Sequence, residues 1–166
     1  MIEFRKISFP EESESVLQID GKIFADFPGD LFDVEDWADF ESYWMLEDGA
    51  IVGCSAFIHH VDYDETPRPG YLHIVSTGVL PEARGRGLGR KQKGWQIEYA
   101  QALGFEAIVT NIRRSNARMI HLNRQFGFEV RQIHSDFYED PKEDAIVMER
   151  RVEAWIAQQK SAATGK

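Results

Sequence analysis

The chain has 166 residues, of which 43% are hydrophobic, 12% aromatic and 28% charged, with a formal net charge of −9 at pH 7. That balance describes one folded unit with a real core; it contains no apolar run of the roughly 20 residues that a membrane-spanning helix needs, and its 28 acids against 19 bases argue against a nucleic-acid partner. Cys54 is the only cysteine, which excludes an internal disulfide and a cysteine-based zinc site, and no other metal site is indicated.

Ile2 to Ile7 alternates apolar and polar side chains as a half-buried edge strand does. The charges in MIEFRKISFPEE stand where a signal peptide would have its apolar stretch, so a cytoplasmic location is the expectation. Pro10 and the acids after it open a helix to about Phe24, with Val16, Leu17, Ile19 and Ile23 inward. After a turn at Phe27 to Asp30, Asp33 caps a short helix to Phe40 that carries Val34, Trp37 and Phe40 on one face.

Ser42 to Glu47 and Ala50 to His60 form a hairpin joined at Asp48-Gly49, with Cys54 as a small apolar residue on its second strand. His59 and His60 should face opposite sides of that strand, and His121 and His134 stand isolated. A polar loop with Pro67, Pro69 and Gly70 leads into a central strand, Tyr71 to Val79. A helix from Lys91 to about Leu103, ended by Gly104, precedes an apolar strand from Phe105 to Asn111. Strand, helix, strand is a crossover unit that places the two strands parallel and side by side or nearly so.

Asn116 to Phe126 reads as another helix, closed by Gly127, and strands at Glu129 to Tyr138 and Ala145 to Arg150 flank a turn at Asp140-Pro141. Residues 1–155 are expected to be a single domain, helical from Val152 onward before a disordered tail at 156–166. Charge is uneven: from Ile23 to Pro67 there are twelve acids and no Lys or Arg, whereas Arg68 to Arg131 holds eleven bases and four acids. One half therefore suits a polyanion and the other a cation, unless the acids form only a solvated face.

The loop between the central strand and its helix carries the chemistry. Arg84, Gly85, Arg86, Gly87, Leu88, Gly89 and Arg90 alternate glycines with charged groups just before a helix N-terminus, which suits a phosphate or pyrophosphate. It lacks the Gly-Lys-Ser/Thr of a P-loop, and a dinucleotide fingerprint would need a third glycine where Arg90 stands. What remains, R-x-x-G-x-G at Arg84, Gly87 and Gly89, resembles the acetyl-CoA loop of the GNAT superfamily of N-acetyltransferases. Asn116, Asn123, Gly127 and Phe128 match the family's second cofactor element, and DFYEDPKEDAIVM is similar to the last strands of the ribosomal-protein N-terminal acetyltransferases.

The resemblance covers Tyr71 to Arg150. It implies an α/β (α+β) fold with a mixed, mostly antiparallel sheet of about seven strands flanked by about four helices, and acetyl-CoA as cofactor. Loop amides from Arg84 to Arg90 would hold the pyrophosphate. The backbone of Gly78, Val79 and Leu80 would pair with the pantetheine arm, and Asn116 would contact its amides. Members of the family are often dimers, so a homodimer is possible here.

The ribosomal-protein enzymes have a glutamate base and a tyrosine acid where this chain has Asn111 and Asn123. Neither amide can move a proton, which leaves both residues to the cofactor side and Asn123 to orient the coenzyme sulfur. In the histone-acetylating branch a glutamate stands where this chain has His73, so His73 is either the base or a sheet residue bonded to a neighbour. Tyr138, near the substrate end by the resemblance, is a second candidate acid. The acceptor is expected to be a primary amine on a small molecule or a protein N-terminus. The acidic and aromatic stretch with Asp26, Asp30, Asp33 and Trp37 would select a cationic one. The alternative is a module that binds acyl-CoA without turnover.

Overall fold

The computed structural model describes residues 1–153, so the helix and tail expected after Val152 lie outside the described residues. Seven strands form one sheet: β1 (Ile2–Lys6), β2 (Glu41–Glu47), β3 (Ala50–Val61), β4 (Pro67–Val79), β5 (Ala107–Arg113), β6 (Glu129–Tyr138) and β7 (Glu143–Arg151). Their order is β1-β2-β3-β4-β5-β7-β6, antiparallel throughout except between β4 and β5. The four helices are α1 (Ser13–Ile23), α2 (Val34–Asp39), α3 (Leu88–Ala102) and α4 (Ala117–Gln125). This is the architecture the resemblance implies.

Where β4 begins differs from expectation. It starts at Pro67, paired at that residue with Val61 of β3, while its other side gains β5 only at Tyr71. Two prolines that cannot donate are tolerated here because the side facing β5 is still unpartnered, and Gly70 takes a positive φ of 84°. Helix α3 starts three residues before Lys91, because Gly87 at φ 75° serves as its left-handed cap and draws Gly89 and Arg90 into the first turn.

The two larger of three core clusters divide along the sheet. Val16, Ile23, Trp37, Trp44, Cys54 and Ala56 pack α1 and α2 onto β2 and β3. Leu72, Ile74, Ile97, Ala100, Ile108 and Met148 pack α3 onto the other face. Cys54 is fully buried, and burial raises its thiol pKa, so the sulfur acts as a small apolar group.

His59 and His60 break the expected alternation. The β3–β4 register shifts between His59 and Val61 and His60 adopts φ 60°, so both rings pack against Phe105, at 5.0 and 5.2 Å. His59 Nε2 engages Tyr99 Oη at 2.8 Å and His60 Nδ1 accepts from the Gly70 amide at 3.0 Å, so both are occupied in fixing the hairpin. No helix among the described residues is long and apolar enough to cross a membrane.

Candidate active site

The parallel pairing of β4 and β5 runs from Tyr71↔Ala107 to Ile74↔Thr110 and stops. Beyond it β5 continues against β7, while the side of β4 from Val75 to Val79 that faced β5 has no strand partner. The two strands open a wedge, and a cavity of about 940 Å³ fills it. It is lined by β4 residues 73 to 79, the loop and first turn of α3, the start of α4, and segments from α1 to α2 and from β6 to β7.

One end is built from backbone. None of the N–H groups from Gly85 to Arg90 donates to a protein acceptor among the described residues; the helical ladder begins with Lys91 N–H to Gly87 O at 3.3 Å. Arg84, Gly85, Gly87, Leu88, Gly89 and Arg90 border the cavity. Six successive amides at the positive end of a fifteen-residue helix make an anion site that fits a nucleotide diphosphate. These residues and Asn116 would hold acetyl-CoA. Asn116 Oδ1 is engaged as the α4 cap, accepting from Met119 N at 3.2 Å, which leaves its amide NH₂ for the cavity.

The arginines of the loop do less than their charge suggests. Arg84 Nε donates to Val79 O at 3.0 Å and its Nη2 to Ile23 O at 3.2 Å, tying the end of β4 to α1. Arg86 pairs with Glu47 at 2.6 Å and does not border the cavity. Arg90 donates to Gln125 Oε1 at 2.7 Å and lies over Phe126, joining α3 to α4 across the site.

At the strand end, Leu80 N–H is bound to Val52 O at 2.8 Å and Leu80 is buried, so its amide is not free for a ligand. Amides alternate along an antiparallel strand, so that bond turns the N–H of Val79 towards the open side, in the wedge. Gln92, on the first turns of α3, donates to Cys54 O at 2.9 Å and Gly78 O at 3.3 Å and holds the strand end in register with the helix. A Cβ on Gly78 would collide with Ile23, so the absent side chain lets α1 lie directly on β4.

His73, 4% exposed, borders the wedge. Its Nε2–H donates to Asn111 Oδ1 at 2.9 Å, and Asn111 Nδ2 donates to Tyr138 Oη at 2.9 Å. An amide oxygen only accepts, so the proton sits on Nε2 and Nδ1 keeps its lone pair, buried and without a partner. Burial lowers the His73 pKa and the Asn111 bond opposes that only in part, so the ring is neutral at pH 7. Burial also raises the Tyr138 pKa, and its hydroxyl keeps a proton that no protein group accepts among the described residues.

Asn123 stands apart: it is fully buried, borders no part of the cavity, and reaches Met148 Sδ at 3.9 Å. The α4 face that carries Asn116 into the site turns Asn123 into the core.

The acceptor wall also differs from expectation. Asp26 borders the cavity and is exposed, but Asp30 forms a bidentate pair with Arg113 at 2.8 and 2.9 Å. Asp33 is engaged as the cap of α2, accepting from Asp36 N at 2.8 Å. Trp37 is fully buried, its Nε1 donating to Asp20 at 3.3 Å; neither Asp33 nor Trp37 borders the cavity. Helical spacing gives the same face to a core tryptophan as to a ligand contact, and here the core takes it.

Arg113 was not singled out from the sequence. Its side chain is 4% exposed, pairs also with Glu143 at 3.2 Å, donates to the carbonyls of Glu139 and Pro141, and is stacked between Phe27 at 4.8 Å and Tyr138 at 4.4 Å. It straps the α1–α2 turn to the β6–β7 turn across the mouth. Gly29 sits so close that a Cβ there would lie 2.5 Å from Glu139 O. The available signal was an arginine, followed by Arg114, at the end of an apolar strand, since a buried charge requires partners. Ser76, whose buried Oγ has no partner, also borders the cavity and carried no signal.

The sequence profile of the acetyltransferase (GNAT) family matches residues 4–128, and the chain belongs to that family. It is 31% identical over 135 residues to a mycothiol acetyltransferase of Frankia alni, a match covering 72% of this chain and 40% of that protein. Over 86 residues it is 33% identical to the L-amino acid N-acyltransferase MnaT of Escherichia coli K12, covering 51% of this chain and 47% of that one. The chain thus spans less than half the length of these relatives. Among solved structures, the ribosomal-protein-S18-alanine N-acetyltransferase of Escherichia coli superposes with a TM-score of 0.75 at 19% identity over 92% of this chain and 95% of that chain. A GNAT family acetyltransferase from Elizabethkingia anophelis with acetyl-CoA bound superposes at 0.71, with 15% identity over 91% and 98%. Both likenesses show the fold.

Proposed function

We propose that the chain is an N-acetyltransferase that moves acetyl from acetyl-CoA to a primary amine of a small molecule or a peptide N-terminus. One observation carries this reading: the loop whose amides from Gly85 to Arg90 are unpartnered and the buried His73, whose Nδ1 has no protein partner among the described residues, line the same cavity, on either side of a free strand edge. Acetyl-CoA supplies an acyl group activated as a thioester. The loop amides grip its diphosphate, and the strand from Val75 to Val79 offers its free side to the extended arm. Val79 N–H is aimed where a developing oxyanion needs a donor.

His73 Nδ1 accepts the proton that the amine must lose, and Asn111 steadies the imidazolium through Nε2. Tyr138, the one hydroxyl in this chain of hydrogen bonds, is the candidate proton donor for the departing thiolate. A cytoplasmic location belongs to the same proposal, supported by a lone buried thiol that needs no oxidising compartment.

The second reading, an acyl-CoA-binding module without turnover, is favoured by Asn123, which lies out of reach of the cavity. Thiol release with acetyl-CoA and a panel of amines, with mass detection of acetylated product, separates the two. Turnover is expected, with His73→Gln about 10²-fold slower in kcat and unchanged in coenzyme A affinity. Tight coenzyme A binding with no acetylated amine from any acceptor would leave only the binding module.

A further inference from the structure

The acceptor end of the cavity has the wrong chemistry for a polycation. Of its two potentially selective inner acids, Asp30 is neutralised by Arg113, and Asp20 lies behind the wall between Trp37 and the Phe32 amide. The acids left over, Asp26, Glu65 and Glu139, are exposed at the rim, where water screens them. No buried cation is free for a carboxylate either: among the described residues the donors of Arg113 are all engaged, and Arg118, which also lines the cavity, is exposed to water.

The surface between is aromatic. Phe27, Tyr138, Phe137 and Tyr63 run in a row, Tyr138 to Phe137 at 5.1 Å and Phe137 to Tyr63 at 5.8 Å, with Arg113 packed between Phe27 and Tyr138. Phe24 and Phe40 face the cavity from α1 and α2, each packed on the core but only half-buried. Of the hydroxyls in the row, Tyr63 Oη meets His134 Nδ1 at 2.7 Å and Gln132 at 2.9 Å, whereas Tyr138 Oη accepts from Asn111 and keeps its own proton unshared. Besides that hydroxyl proton, two buried atoms of β4, His73 Nδ1 and Ser76 Oγ, have no partner among the described residues. That is hydrogen-bonding capacity for one amino group and little else, set in an apolar aromatic lining.

Resting on the acetyl-transfer reading, we infer that the acceptor is an arylalkylamine: a single primary amine, without a carboxylate, carried on a flat apolar ring that lies against Phe27, Phe137 and Tyr63.

The test compares 2-phenylethylamine, n-butylamine, 1,4-diaminobutane and phenylalanine in the thiol-release assay. In parallel, calorimetry measures the binding of each amine to protein saturated with coenzyme A. Phenylethylamine is expected to exceed each of the others by at least about 10-fold in kcat/KM and to bind most tightly. Phe137→Leu, which keeps apolar bulk but removes the ring, is expected to collapse the phenylethylamine-to-butylamine ratio by about 5-fold or more without changing coenzyme A affinity or Tm. A diamine that equals or beats phenylethylamine, with rates falling as salt is added, would overturn the assignment, as would a preference for phenylalanine. If no amine is acetylated but calorimetry returns the same ranking, the aromatic pocket stands and acetyl transfer falls. If phenylethylamine neither reacts nor binds, the pocket assignment falls too.

Discussion

At the end of the cavity proposed for coenzyme A, six consecutive amides are left unpartnered, and all come from one stretch of chain. At the acceptor end the wall is assembled from α1, the turn after it, the β3–β4 hairpin, β5 and the β6–β7 turn, and is fastened by side chains 83 residues apart at Asp30 and Arg113. Backbone donors at a helix start require only that glycine allow the turn, so that end is encoded locally. A wall of packed rings and paired charges requires every partner to arrive. A family can therefore keep one end constant in chemistry while the other is rebuilt for each acceptor.

The comparison breaks most visibly at Arg113. Arg113→Met leaves Asp30 and Glu143 facing each other without their cation, and is expected to cost about 3–5 kcal/mol in chemical denaturation. It should raise the KM for the amine far more than the Kd for coenzyme A. An equal effect on both ligands would show that the two ends are not separable.

Gly87→Pro acts on the other end. It fixes φ near −65° where the loop needs 75° and removes a free N–H, so coenzyme A affinity is expected to fall about 100-fold by calorimetry. Amine selectivity measured at saturating coenzyme A should hold.

What was legible follows the same division. Gly87, Gly89 and Asn116 could be placed because a positive φ, a helix start and a cap are read within a few residues. The parallel β4–β5 pair followed from the helix between them. Asn123 was misplaced because two turns of spacing fix a shared helix face only approximately, and α4 rolls its second asparagine onto Met148. Asp30, Asp33 and Trp37 read as an acidic pocket for a cationic acceptor because sequence shows acids without showing what neutralises them. Arg113 was missed for the complementary reason: its partners lie 83 and 30 residues away.

Lys93 sharpens the comparison by the smallest margin. It is 2% exposed on α3, without a hydrogen-bond partner, its Nζ 5.2 Å from the Phe128 ring centre, and burial lowers its pKa to about 7. The unfolded chain, with the ordinary value of 10.5, binds this proton throughout the window between about 7 and 10.5, where the folded protein does not. Stability from this group therefore rises with pH across that window, and the penalty is fully present below pH 7. Lys93→Met should add about 1–3 kcal/mol at pH 7, with the gain shrinking towards pH 10, and should move neither coenzyme A affinity nor amine selectivity. A gain independent of pH would mean that packing, not charge, sets the cost.

The central claim, that a nucleotide diphosphate is held by the amides of Gly85 to Arg90, is met most directly by a ¹⁵N–¹H titration of the protein with coenzyme A. The account predicts that the amides of Gly85, Gly87 and Gly89 shift most and saturate together, while Gly104, which does not border the cavity, stays in place. Unmoved loop glycines at saturating coenzyme A, with no rise in Tm, would contradict it.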